Sequence, residues 1–118
     1  MKIEIPVSIG ELLDKISILK IKKRYSNNEY IIRELNDLIK IAESLQVYKQ
    51  LYLNDLMEVN QSLWNIEDKL RKLEEEKKFN EEFIELARSV YKQNDIRSVI
   101  KRRINEETQS YYKEIKIY

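Results

Sequence analysis

The sequence predicts an all-α protein, a five-helix antiparallel bundle with a long central helix and short extended arms at both ends. Three observations predict it. The 118 residues contain one Gly and one Pro, which leaves few places to break a helix. Apolar residues recur at steps of three and four through most of the chain. Two of those periodic stretches open on S-x-x-E, the spacing of a helix capping box. The length suits one domain, residues 1–118, large enough to bury a core without disulfides or a structural metal.

Residues 2–7 (KIEIPV) stand apart. Ile3, Ile5 and Val7 alternate with other residues and Pro6 is incompatible with a helix interior, so an extended arm is expected. Ser8 and Glu11 then form the first capping box, with Val7 and Leu12 at the staple positions. The first helix runs to about Tyr25, burying Leu12, Ile16 and Leu19, with Ile9, Leu13, Ile18 and Ile21 widening the stripe. Ser26-Asn27-Asn28-Glu29 repeats the signature before a second helix carrying Ile31, Leu35, Leu38, Ile39 and Ala42. Between Glu43 and Gln50 the apolar phase changes, and a turn is expected there. Leu56, Val59, Leu63, Ile66, Leu70 and Leu73 then form a coiled-coil-like seam that predicts the long central helix. Asn80 can cap a fourth helix over about 81–93 that buries Phe83, Ala87 and Val90. Asn94-Asp95 reads as a further break, with Asp95 capping a fifth helix whose Ile96, Val99, Ile100 and Ile104 face inward. The tail YKEIKIY alternates again, either pairing with the first arm or fraying.

Composition excludes much chemistry. With no His and no Cys there is no Ser-His-Asp triad, no cysteine nucleophile and no ordinary zinc or haem site. A single Gly rules out a P-loop or Rossmann phosphate turn. The 22 Lys+Arg against 21 Asp+Glu make bulk attraction to nucleic acid unlooked-for. No apolar run is long enough for a membrane helix and no leader pattern follows Met1, so a cytoplasmic protein is expected.

Near-neutrality hides segregation. Residues 15–24 hold Lys15, Lys20, Lys22, Lys23 and Arg24 without an acid. Residues 88–103 hold Arg88, Lys92, Arg97, Lys101, Arg102 and Arg103 against Asp95 alone. Such cations facing one cavity attract phosphate or carboxylate; on a solvated face they do nothing more than keep the protein soluble. Beside the seam, Asn60, Trp64, Glu67 or Asp68, and Arg71 follow one another at helical spacing. The lone Trp can stack on a base or sugar; equally it can plug the core, with Glu67–Arg71 a surface ion pair. Arg88, Tyr91 and Asp95 continue through Ser98, Lys101 and Asn105 in a similar series, and free N–H groups at a helix start at Asp95–Ser98 would favour an anion. Glu11 and Asp14 share one helix face and are the weak candidates for holding Mg²⁺, the one metal suited to an all-oxygen donor set. The second carboxylate pair such sites need has only Glu82-x-x-Glu85 to offer, so no metal and no cofactor is expected.

Three segments together, PVSIGELLDKISILKIK at 6–22, NQSLWNIEDKLR at 60–71 and FIELARSVYKQNDIRSVIKRRIN at 83–105, resemble a family of small bacterial proteins known as a domain of unknown function. Its members often sit near glycosyltransferase and lipopolysaccharide genes. The pattern carries over as Pro6, Ser8, Gly10, Glu11, Asp14, Lys15 and Lys22, then Asn60, Trp64, Glu67, Asp68 and Arg71. It continues with Arg88, Tyr91, Asn94, Asp95, Arg97, Lys101, Arg102 and Asn105. A Gly-Ser pair usual in the family is here Gln109-Ser110. So many charged positions imply a site or a buried polar network. The resemblance implies no reaction.

The expected function is non-catalytic binding or sequestration of a phosphate-bearing small molecule: a nucleotide, cyclic nucleotide or nucleotide sugar. A phage-type sponge or a glycan-pathway accessory would both use such binding. The alternatives are a carboxylate- and Mg²⁺-dependent enzyme acting on a nucleotide or sugar phosphate, and a structural partner-binding module. The expected site joins Asn60, Trp64, Asp68 and Arg71 to Arg88, Tyr91, Arg97, Lys101 and Asn105, with Lys15 approaching from the first helix. A homodimer or higher homo-oligomer is expected from the apolar seam.

Overall fold

The structure, a computed structural model, describes residues 1–117 and is all-helical. Helices α1 (Ile9–Tyr25), α2 (Glu29–Ser44), α3 (Gln50–Glu75) and α4 (Glu81–Glu107) are the regular elements among the described residues. Among the described residues neither terminal segment is in a strand, so the expected two-stranded pairing of the arms does not form; Tyr118, the end of the expected tail, lies outside the described residues. No helix is long and apolar enough to cross a membrane.

Four helices replace the expected five because Asn94-Asp95 does not break α4. Asn and Asp cost only tenths of a kcal/mol in a helix interior, far less than Gly or Pro, and packing decides the outcome. Asp95 is not a cap; its carboxylate pairs with Lys116 at 2.8 Å. The N–H groups of residues 95–98 therefore belong to the helix interior, and the anion-attracting helix start expected there does not exist.

The central helix is α1, not α3. Helix α1 packs against all three others, whereas the backbone of α2 approaches α1 alone. Helices α3 and α4, with 26 and 27 residues, form a hairpin of about 40 Å that outruns the 17-residue α1. The core gathers where α1 meets that hairpin: Leu13, Ile16, Leu53, Leu56, Val59 and Ile104 are buried, joined by Leu35 and Ala42 from α2. Beyond it the hairpin is a two-helix arm, in which Leu73 is the only buried apolar residue. Of the side chains expected to be buried on α4, Phe83 and Val90 are half-buried, while Ala87, Ile96 and Val99 face outward.

The N-terminus of α1 is stitched to the C-terminus of α4. Ser8 Oγ caps the first turn by accepting from Glu11 N at 3.0 Å. Ile9 N donates to Ser110 Oγ at 3.0 Å and Gly10 N to Asn105 Oδ1 at 2.7 Å. A Cβ on Gly10 would lie 2.8 Å from the Lys101 carbonyl oxygen, so only glycine permits this approach. The carboxylate of Glu11 turns to Lys101, so the hydroxyl half of the capping box is the part that forms here.

Helices α2, α3 and α4 end in the same way. Gln46, Lys77 and Gln109 take φ of 58, 54 and 55°, and the following N–H bonds back to the carbonyls of Ala42, Leu73 and Asn105. This is the Schellman closure, in which glycine is the unstrained choice. The Gly implied by family resemblance at position 109 fits that geometry; Gln109 occupies it at a steric cost.

Candidate functional site

Asp14 is 1% exposed, on the face of α1 that otherwise carries Leu13, Ile16 and Ser17 into the core. Its carboxylate is fully engaged. Arg97 of α4 forks onto it, Nε donating to Oδ1 at 2.9 Å and Nη2 to Oδ2. Asn60 of α3 donates to the same Oδ1 at 2.9 Å and to Ser17 Oγ at 2.8 Å. Ser17 Oγ in turn donates to the Asp14 carbonyl at 2.6 Å. Three helices are thus tied through one carboxylate. The hydrogen bond to Asp14 outweighs the burial of Arg97 and holds its guanidinium above the ordinary arginine value.

One turn along α4, Lys101 Nζ lies 2.8 Å from Glu11 and 3.2 Å from Glu114. Burial opposes its charge, but the hydrogen bond to Glu11 and the charges of Glu11, Asp14 and Glu114 prevail, and its pKa is raised. Two cations expected to await a ligand are therefore already paired inside the protein.

Arg97 separates two cavities. On one side a cleft of about 360 Å³ is floored by Ile18, Ile21 and Leu63 and walled by Asn60, Trp64, Glu67, Asp68, Arg71 and Arg97. The expected α3 stripe is thus brought together, with Arg97 from α4. Trp64 is neither a core plug nor bare: it is half-buried, and Tyr25 stacks on it at 4.8 Å between ring centroids and 10° between planes. Gln61 fixes this pair, donating to Tyr25 Oη at 2.9 Å and accepting from Arg24 at 3.0 Å. Among the described residues Arg71 makes no ion pair, and the Glu67–Arg71 pair weighed from spacing does not form. On the other side, Tyr91, Arg97 and Lys101 line a groove of about 850 Å³ beneath residues 114–117.

The remaining expected residues lie elsewhere. Lys15 faces α2 and pairs with Glu34 at 3.0 Å, because its place on the α1 helix points away from the hairpin. Arg88 is exposed on the arm and lines neither cavity. Asn105 is fully buried at the α1–α4 joint, where it is a clamp on Gly10 rather than part of the cleft. Glu11 and Asp14 do not form a metal pair, since each carboxylate is turned to a different cation. Among the described residues no cluster of three or more acidic side chains is arranged to hold a metal.

Ser17, Glu114 and Lys116 were not singled out by spacing, whereas Ser98 stood in the α4 series and does line the groove. For Ser17 a signal existed: Asp14 and Ser17 are polar residues set within an apolar helix face, which is affordable only with buried partners. Glu114 and Lys116 lie in a tail without helical period, so nothing local predicts their docking.

The whole chain, residues 1–118, matches the family of unknown function DUF6165. The protein belongs to that family. This is the kind of family the three motifs implied. No curated protein and no solved structure matches the chain. Within this DUF6165 chain, the motif at 6–22 supplies Asp14 and Ser17, that at 60–71 supplies Asn60, Trp64 and Arg71, and that at 83–105 supplies Arg97. The three segments that carry the resemblance therefore meet at one place.

Proposed function

We propose that the protein binds a phosphate-bearing small molecule in the Trp64 cleft, without turning it over, in the cytoplasm. The observation that carries this reading is Arg71: a guanidinium without an ion-pair partner among the described residues, in a cleft with an aromatic wall and an apolar floor. Such a group takes phosphate oxygens in bidentate fashion. Glu67 and Asp68 on the same rim can accept from ligand hydroxyls, and the half-buried Trp64 offers ring surface. A nucleotide sugar, with both phosphates and hydroxyls, answers this lining better than a bare phosphate. The Asp14–Arg97–Asn60 unit beneath is charge-balanced and hydrogen-bonded, which suits a rigid wall and not a general base. Sequestration, or accessory binding in a glycan pathway, is the role this supports.

A thermal-shift screen of nucleotides and sugar nucleotides, with and without Mg²⁺, tests it. A ligand at 100 times its Kd should stabilise by about 2.7 kcal/mol. Arg71→Ala and Trp64→Ala should remove that shift while the helical circular dichroism persists. Absence of any shift across the screen would refute the reading, and turnover only with Mg²⁺ would favour a carboxylate-dependent enzyme.

The expected homodimer belongs to the same proposal. We place its interface on the arm, where Phe79 and Ile84 are 57 and 49% exposed. Sedimentation of wild type as a dimer and of Ile84→Glu as a monomer is the expected pair of results; a monomer in both cases ends the idea.

A further inference from the structure

The groove on the far side of Arg97 is roofed by the C-terminal segment, and three features of it point the same way. Glu114 reaches from that segment to Lys101 at 3.2 Å, so the groove already holds one anion, supplied by the chain itself. Ser98, three residues before Lys101 on the same face of α4, is 6% exposed, and its hydroxyl has no hydrogen-bond partner among the described residues. It lines the groove. The roof is held by charge, through Glu114 to Lys101 and Lys116 to Asp95, and not by apolar burial: Ile115 and Ile117 are 73 and 88% exposed.

A buried hydroxyl without a partner is uncommon in a folded protein, and one beside a buried ammonium and a half-buried guanidinium marks a place for an oxyanion. The Glu114 carboxylate reaches Lys101 yet leaves Ser98 unanswered. A phosphate has enough oxygens for both. The groove, at about 850 Å³, is also far larger than a phosphate, and Tyr91 and Val90 supply a surface for an organic remainder.

We propose that this groove is a second binding site, for a phosphate monoester, in which Glu114 is the built-in competitor. The ester's phosphate takes the place of the Glu114 carboxylate on Lys101 and accepts the hydrogen bond that Ser98 offers, while residues 114–117 lift away. The exchange replaces the single charge of the Glu114 carboxylate by the larger charge of the phosphate, while Lys101 keeps Glu11 as its other partner. Because the competitor is tethered, it acts at a high effective concentration and sets a threshold that the ester must exceed. The groove shares the Arg97 wall with the Trp64 cleft, but its occupation does not require a ligand there.

Phenyl phosphate is the probe, titrated into the full chain and followed by amide NMR. Signals of residues 94–101 and 114–117 should move together. Glu114→Gln, which removes the competing charge, should tighten binding by about fivefold or more. Ser98→Ala should weaken it by about fivefold with a melting temperature equal to or above wild type, since the hydroxyl has no partner to lose. Affinity unchanged in both variants would overturn the proposal. So would a response confined to the Trp64 indole N–H, which reports on the cleft alone and would leave the cleft reading intact. Movement at 94–101 with a silent indole supports the groove whatever becomes of the cleft.

Discussion

The two ends of the α3–α4 hairpin treat charge in opposite ways. Near α1, Asp14, Arg97, Asn60 and Lys101 are buried or half-buried, and each has a hydrogen-bonded or charged partner on another helix. Along the arm, Glu74, Glu75, Glu81, Glu82, Glu85 and Arg88 are exposed, and only Leu73 gives the arm a buried apolar side chain. The same two helices are therefore a locked wall at one end and a lightly packed projection at the other. Mutations should reveal the difference, because a buried ion costs heavily when its partner is lost, whereas a solvated one costs little.

The largest effect is expected at Asp14. Asp14→Ala leaves the Arg97 guanidinium half-buried without its carboxylate and Asn60 with Ser17 as its one remaining acceptor, and should cost about 3–5 kcal/mol in urea unfolding. A loss below 1 kcal/mol would show that the three-helix tie is dispensable. Gly10→Ala comes next. The new methyl meets the backbone carbonyl of Lys101, which cannot turn aside as a flexible side chain would, so about 1–3 kcal/mol should be lost despite the better helix propensity of Ala.

A milder effect comes from pH. Lys101 has a raised pKa in the folded protein, through its pairing with Glu11 and the neighbouring carboxylates against the cost of burial. The raised pKa of Tyr52, from its hydrogen bond to Glu107 above all, acts in the same sense. A group held above its unfolded value contributes fully below that value and loses the contribution as pH rises through the folded one. These two groups should give no pH dependence near neutrality and a fall in stability beginning near pH 10. Lys101→Met should flatten part of that alkaline fall; if it does not, Lys101 is not the linked group.

The smallest change is in the arm and has the opposite sign. Lys77 sits at φ 54° in the turn between α3 and α4, a conformation that costs a side-chain-bearing residue about 1 kcal/mol and glycine almost nothing. Lys77→Gly should therefore raise stability by somewhat less than 1 kcal/mol, read as protection of arm amides from hydrogen exchange. A decrease would mean that the Lys77 side chain makes contacts that outweigh its strain.

Much of this molecule was legible in the chain. The absence of His and Cys, and the single Gly and Pro, settled the chemistry to be excluded and the helical class. The caps at Ser8 and Asn80 marked two helix starts correctly, since each satisfies an N–H group three residues away by a local bond, whereas α2 is capped by Asn28 and not by the Ser26 of its S-x-x-E signature. Trp64, Asp68 and Arg71 line one cleft, and helical spacing grouped them because sharing a helix face is a local property.

What tertiary structure decided depends on distant partners. Asn94-Asp95 looked like a break until packing and Lys116 kept α4 continuous. Lys15 looked like a site cation, but the angle at which α1 meets its neighbours gives it to Glu34. Arg97 and Lys101 were expected to wait for a ligand, and the fold instead brings Asp14, Glu11 and Glu114 to them from 83, 90 and 13 residues away in the chain. Helix type follows from neighbours a turn apart, which a sequence displays directly. Charge pairing in a low-dielectric interior depends on which helix faces which, and only the packed core sets that.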